Sequence, residues 1–404
     1  MPPLPRVIAV QILASVFTQH SRANMLLDKL VATLDARERA LTQELVYGVL
    51  RRYFSLEVDV SRFLRRKPDD VVRAILLLGA YQLRHMRTPV HAVVNEMVDV
   101  CKYFAPAAAG MVNAVLRKVA ATEAPHRLKP YQRVELPQWM FAAWRDAFGA
   151  ETVQRMAAGM EHKPMLALAV FGDRDAWMQQ AAALGFDCQP GALSPHAVLL
   201  PAGTAVQQLP GYAKGAFQVM DQAAQAAVLA LSVHSGDTVL DVCAAPGGKS
   251  GLLAHMHTQA QIIAVEKDSR RLLRLRENLA RLQAHHVTVV QGDATALAMP
   301  DASVDAVLLD APCTASGIIR RHPDAKFLHG PDDVMRHAVL QRAMLVEALR
   351  VLRPGGHLLY AVCSIHGAEN ERVVEDMAGL QQMQRLLPDQ QHDGFFFAVI
   401  RKPT

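Results

Sequence analysis

Over residues 1–125 apolar side chains recur at spacings of three and four, the period of helices with a buried face. Arg6, Ala9, Leu13 and Val16 mark a first amphipathic helix. Leu45 and Val49, then Ile75, Leu76, Leu78, Gly79 and Leu83, continue the pattern. Punctuation divides it. Lys67-Pro68-Asp69-Asp70 combines a helix stop with a start signal, Thr88-Pro89 precedes a helix over 90–101, and Ala105-Pro106 ends that helix before another over 110–119. The segment predicts a helical bundle with short loops. Pro125, Pro130 and Pro137, with His126, Arg127 and Lys129 among them, predict a linker over 126–137.

The pattern then changes. Residues 138–215 mix a helix over 139–148, a strand over 165–171, a helix over 175–184 and a short strand over 197–200, which predicts a small α/β subdomain. Over 216–404 strands alternate with helices. Strands are predicted at 238–242, 262–265, 287–290, 306–309 and 358–362, with a turn at Arg353-Pro354-Gly355-Gly356 leading into the last. Such a series implies a doubly wound, mostly parallel sheet. The fold class is therefore multidomain: an all-α bundle over 1–125, the linker, the small α/β subdomain, and an α/β domain over 216–404.

Charge sharpens the division. The chain of 404 residues carries a net charge of +5, and residues 1–130 hold 19 Lys and Arg against 11 Asp and Glu. A basic helical module joined to a near-neutral α/β module fits a nucleic-acid-binding domain attached to a catalytic one. The five cysteines are widely and irregularly spaced, without a CxxC pair, so neither a disulfide framework nor a zinc site is expected. That usage points to a reducing, cytoplasmic setting. No stretch is long and apolar enough to span a membrane, and no signal peptide is read at the start.

Candidate chemistry gathers at predicted strand ends. Val239 to Val242 runs into Cys243-Ala244-Ala245-Pro246-Gly247-Gly248-Lys249, a turn of small residues opening a helix, where backbone can approach a ligand closely. The spacing matches neither a GxGxxG dinucleotide fingerprint nor a P-loop. Glu266 ends the next strand, a position suited to two ribose hydroxyls, and Asp293 follows the third, suited to an adenine edge. Asp310-Ala311-Pro312-Cys313 follows the fourth, and Tyr360-Ala361-Val362-Cys363-Ser364 ends the fifth. A single cysteine usually reads as a small buried hydrophobe. Two at the same rim, beside a cofactor-type turn, read as functional.

CAAPGGK, DAPCTASG and the late Cys-Ser strand end together resemble RNA 5-methylcytosine methyltransferases. Segments 39–50, 76–83 and 112–117 resemble the NusB-type RNA-binding domain, and the combination points to the bacterial RsmB (Sun) subfamily. Arg320-Arg321-His322-Pro323-Asp324 and Asp393-Gly394-Phe395-Phe396 are also similar to it. The resemblance implies a NusB-like bundle, a Rossmann-like catalytic domain, S-adenosylmethionine as methyl donor with no metal, and 16S ribosomal RNA as partner for a monomeric enzyme. It implies cofactor contacts by Cys243, Ala244, Ala245, Pro246, Gly247, Gly248, Lys249, Glu266, Asp293 and Asp310. It also implies Cys363 as nucleophile, Cys313 as the group that helps product leave, and Asp310 at the base. DNA cytosine methyltransferases, by contrast, use a cysteine placed like Cys313. The chain departs from the family's usual Asp at Glu266, its usual Thr at Val362 and an Arg-x-Asn near Leu168-Ala169-Val170. A methyltransferase of another RNA, such as tRNA, and a non-catalytic NusB-like factor are the competing readings.

Overall fold

The helices expected over 1–125 form, and their caps follow the punctuation. In the computed structural model, which describes residues 3–404, they are α1 (Leu4–Gln19), α2 (Ala23–Leu30), α3 (Ala36–Arg51), α4 (Tyr53–Ser61), α5 (Asp70–His85), α6 (Val90–Phe104) and α7 (Ala109–Ala121). Asp69 caps α5 by accepting the Val72 N–H at 2.8 Å, and Asp35 with Glu38 closes a capping box on α3. One expectation fails. α1 is not amphipathic, because α2, α3, α5 and α6 all pack on it. Val7, Ile8, Ala9, Val10, Ile12, Leu13 and Val16 are all buried, as a helix surrounded by others requires. Even Arg6 is buried, its guanidinium bonded to Gln82 and paired with Glu96.

The chain divides into two compact units, one running through Glu161 and including Ile319–Pro331, the other made of His162–Ile318 and Asp332–Thr404. The division differs from the sequence reading in two places. First, α8 (Pro130–Arg133), α9 (Gln138–Phe148) and α10 (Ala150–Met160) belong with the helical bundle, α8 packing on α4 and α9, and α9 on α10. Second, residues 319–331, read as part of the C-terminal domain, also join the bundle. The Phe327 ring lies 4.8 Å from Tyr53 and 5.5 Å from Phe17. Asp324 accepts the Ala23 N–H at the start of α2, and Lys326 donates to the carbonyls of Arg51 and Glu135. These partners are nearly 200 to 300 positions away in sequence, so no local period announces them.

The second unit contains two sheets. The smaller is antiparallel, in the order β2 (Gln189–Pro190), β3 (Ala197–Leu200), β1 (Leu166–Val170), β4 (Phe217–Val219). It therefore extends past residue 215, the boundary read from sequence. Leu168, Ala169 and Val170 are fully buried in its central strand, so apolar residues there serve packing. The helix Gln222–Leu229 packs against β1 and against the larger sheet.

The larger sheet has seven strands: β5 (Thr238–Val242), β6 (Gln261–Glu266), β7 (Val287–Gln291), β8 (Val304–Asp310), β9 (Leu352–Val362), β10 (Leu380–Leu386) and β11 (Phe395–Arg401). Their order is β10-β11-β9-β8-β5-β6-β7, parallel from β9 to β7, with β11 and β10 antiparallel at one edge. Both faces are covered: Val239, Ala306 and Leu308 enter one core, and Leu240, Val307 and Leu309 the other. The turn expected at 353–356 is a bulge inside β9. Val304 pairs with Leu352 and Ala306 with His357, so β9 spends five positions where β8 spends two. The chain crosses from β7 back to β8 on the far side of β5, and that reversal opens a crevice at the strands' carboxyl ends.

Candidate active site

Every residue singled out by sequence at a strand end lies on that carboxyl rim. After β5, Cys243 takes a left-handed conformation (φ 63°), and Gly247 another (φ 97°), which a side chain would strain. Together they fold the turn back so that the helix Gly248–Met256 starts at the rim. The turn is pinned from the helix Ser269–Arg281: Arg271 donates to the Ala245 carbonyl at 2.6 Å, and Asn278 to that of Pro246 at 3.0 Å. Beneath it, Asp241 is fully buried and pushed up to about 7 by burial, against the opposing bond from the Ser250 hydroxyl.

Three carboxylates line the rim. Glu266, 3% exposed, accepts the Asp268 N–H at 3.0 Å and pairs with Arg271 at 3.2 Å. Asp293 pairs with exposed Lys267 at 2.7 Å and accepts from the Thr295 N–H and hydroxyl. Those bonds, the lysine's first, hold it down to about 2. Asp310 accepts from Lys249 at 2.6 Å. Burial alone would depress that lysine, but Asp310 outweighs it and the ammonium is held more firmly than usual. Three carboxylate acceptors above a small-residue turn suit a ligand with a ribose diol and a sulfonium centre. Cys243 sits among these carboxylates and, chiefly through burial, is pushed up to about 12, so it stays a thiol and serves as wall.

The other two rim cysteines meet. The sulfur of Cys313, after β8, lies 3.4 Å from that of Cys363, after β9. The bond to the Cys363 sulfur, then burial and the nearby charges of Cys363 and Glu369, push Cys313 well above an ordinary thiol. The two thiols are in direct contact, and either sulfur can be the donor. The loops carrying them are tied together: the Gly317 N–H donates to the Cys363 carbonyl at 2.9 Å, and the Gly394 N–H to that of Gly317 at 2.8 Å. Gln341 holds the Pro312 carbonyl at 2.9 Å. Sequence reasoning missed Gln341 and buried Glu369. Gln341 alone carries a local signal, a polar residue on the inward face of the helix Pro331–Val351.

A doubly wound sheet with this turn and acidic rim defines an S-adenosylmethionine-dependent methyltransferase. Residues 228–379 match the family described as 16S rRNA methyltransferase RsmB/F, and residues 4–121 match the NusB family. Ribosomal RNA small subunit methyltransferase B of Vibrio cholerae is 35% identical over 395 residues, spanning 91% of this chain and 90% of that protein. The Pseudomonas putida protein of the same name is 35% identical over 431 aligned residues, spanning 98% of each. The chain belongs to the ribosomal RNA small subunit methyltransferase B family. Its fold is shared with the solved structure of PH0851, with a TM-score of 0.82 and 21% identity over all of both chains.

Proposed function

We propose that this enzyme methylates carbon 5 of a cytosine in 16S ribosomal RNA, working as a monomer in the cytoplasm, with Cys363 as nucleophile. The observation that carries the reading is the pair of thiols 3.4 Å apart beside the Asp310–Lys249 pair. Carbon 5 of cytosine is a weak nucleophile. Addition of the Cys363 thiolate to carbon 6 moves electron density to carbon 5, which then takes the methyl group from S-adenosylmethionine. A general base then takes the carbon-5 proton, the freed electron pair restores the carbon 5–carbon 6 double bond, and the carbon 6–sulfur bond breaks to release Cys363 as a thiolate with the product. Cys313, in contact with Cys363, would assist that departure. Asp310 stands where a carboxyl group can meet the polar edge of the base.

Residues 243–249 would hold the donor along the turn, with Glu266 on the ribose, Asp293 at the adenine edge and Asp310 toward the methyl-bearing end. The bundle over residues 1–125 would position RNA, because it holds the excess of Lys and Arg. The test is transfer of labelled methyl from S-adenosylmethionine to 16S rRNA, with bisulfite sequencing of the product. 5-Methylcytosine in 16S rRNA is the expected result. Methylation confined to tRNA would favour that substrate, and RNA binding without transfer would leave a non-catalytic factor.

Glu266→Ala removes a charge-assisted bond pair to the ribose and is expected to weaken donor binding by about 1.5–3 kcal/mol. Calorimetry giving unchanged donor affinity would take Glu266 out of the site. On the bundle, Arg65, Arg66 and Lys67 are exposed around a groove of about 300 Å³ between α4 and α5. RNA affinity is expected to fall as salt rises. Replacing these three residues by Glu is expected to flatten that dependence, by about one unit of slope for each phosphate no longer neutralised. A salt-independent affinity, or an unaltered slope, would assign the basic excess to solvation.

A further inference from the structure

Resting on that reading, we infer that Glu369 is a positioning residue that clasps the two cysteine loops and keeps Cys313 against Cys363. Glu369 is fully buried, six residues beyond the nucleophile. Its carboxylate takes three donors from both loops. One oxygen accepts the Thr314 N–H at 2.8 Å; the other accepts the Thr314 hydroxyl at 2.6 Å and the Ser364 hydroxyl at 2.5 Å. Thr314 is the neighbour of Cys313 and Ser364 that of Cys363, so a single carboxylate spans the two residues adjoining the reacting pair.

The surroundings make Glu369 hard to displace. Its carbonyl accepts the buried Tyr360 hydroxyl at 2.6 Å, and Asn370 donates to the Ser364 carbonyl at 3.1 Å. Ser316 contacts Ser364 at 3.0 Å and accepts the Ile365 N–H at the same distance. Thr314, Ser316, Ser364 and Asn370 are themselves buried. A buried carboxylate without donors would be costly, so the three bonds bind it to this arrangement. Burial raises its pKa and the Ser364 and Thr314 bonds oppose that rise. Its negative charge also contributes to holding the proton on Cys313. The clasp thus acts on the distance between the two sulfurs, which release of product requires and donor binding does not.

The test is Glu369→Gln in the full chain, beside wild type and Cys313→Ala. The amide keeps the shape but turns one acceptor into a donor, so it cannot receive all three bonds. Turnover on 16S rRNA is expected to fall roughly 10- to 100-fold, the size of a displacement near 1 Å. KM for RNA is expected to fall along with turnover, since the slowed step follows binding and attachment. A denaturant-resistant protein–RNA complex should accumulate, as for Cys313→Ala. Capture of both thiols by phenylarsine oxide, which involves neither RNA nor catalysis, should slow along with turnover. Wild-type turnover, or reduced turnover without accumulated complex and with wild-type arsenical capture, overturns the clasp. Wild-type protein that transfers no methyl to RNA removes the proposed function, and arsenical capture then decides the clasp by itself. Should Glu369→Gln fail to fold, Thr314→Val removes one hydroxyl only; slowed capture is expected there, and wild-type capture overturns the inference.

Discussion

Cys363→Ala is expected to abolish methyl transfer, by on the order of 10⁴-fold or more, and to form no covalent complex with RNA. Cys313→Ala is expected to behave differently. Cys363 can still attack and carbon 5 can still take the methyl, but the product stays bonded to the protein. The asymmetry follows from the contact between the two sulfurs. Attack requires a thiolate, and the bond to Cys363 with burial pushes the Cys313 thiol up, which disfavours its thiolate. Each variant mixed with labelled RNA and S-adenosylmethionine on a denaturing gel reads the difference directly. A stable complex with Cys363→Ala and none with Cys313→Ala would reverse the two roles. The base must leave its stack to reach the rim, so the target is expected in a loop or a locally opened helix.

Gly317→Ala is expected to have the next largest effect. A Cβ on Gly317 would lie 2.2 Å from the Gly394 carbonyl oxygen and 2.9 Å from that of Cys363. Both are backbone atoms of the residues that Gly317 ties together, since its N–H donates to the Cys363 carbonyl and its carbonyl accepts the Gly394 N–H. No side chain can swing away to make room. The methyl group therefore forces the Cys363 loop outward, costing about 1–3 kcal/mol in stability from overpacking and roughly 100-fold in turnover from the misplaced sulfur. Denaturant melts and steady-state assays on the same preparation check both. Wild-type turnover in a stable Gly317→Ala protein would show that the loop tolerates displacement. The close backbone approach of Gly317 and Gly394 is a physical reason for glycine in both DAPCTASG and the closing Asp393-Gly394-Phe395-Phe396.

What could be read from the chain alone was whatever local pattern governs. Strands β5 to β9 are apolar runs, and Glu266, Asp310 and Cys363 stand where those runs stop, so topology carries them to one rim. The cap at Asp69 follows the same logic. What escaped depends on contacts far apart in sequence. α1 has a helical period, but its burial on nearly every side is set by the helices packed around it. Phe327 lies in a polar stretch and reads as a loop residue; its ring partners, Phe17 and Tyr53, belong to the first helices. Glu369 follows Ile365-His366-Gly367-Ala368 and reads as a solvated acid, because its donors Thr314 and Ser364 come together only when β8 and β9 pair. Arg353-Pro354-Gly355-Gly356 reads as a turn leading into the strand, but it is a bulge inside β9, because a bulge and a turn share the same glycines.

The central claim is that Cys363 bonds to carbon 6 of the target cytosine, and mass spectrometry of a trapped complex tests it most directly. RNA carrying 5-fluorocytosine presents a carbon 5 whose fluorine cannot leave as a proton, so the adduct survives methyl transfer. The protein is incubated with this RNA and S-adenosylmethionine, digested, and the nucleotide-bearing peptide sequenced. The account predicts a methylated fluorocytosine bonded to the peptide containing Cys363. A nucleotide bonded to Cys313, or methyl transfer to unsubstituted RNA with no adduct on the fluorinated one, would contradict it.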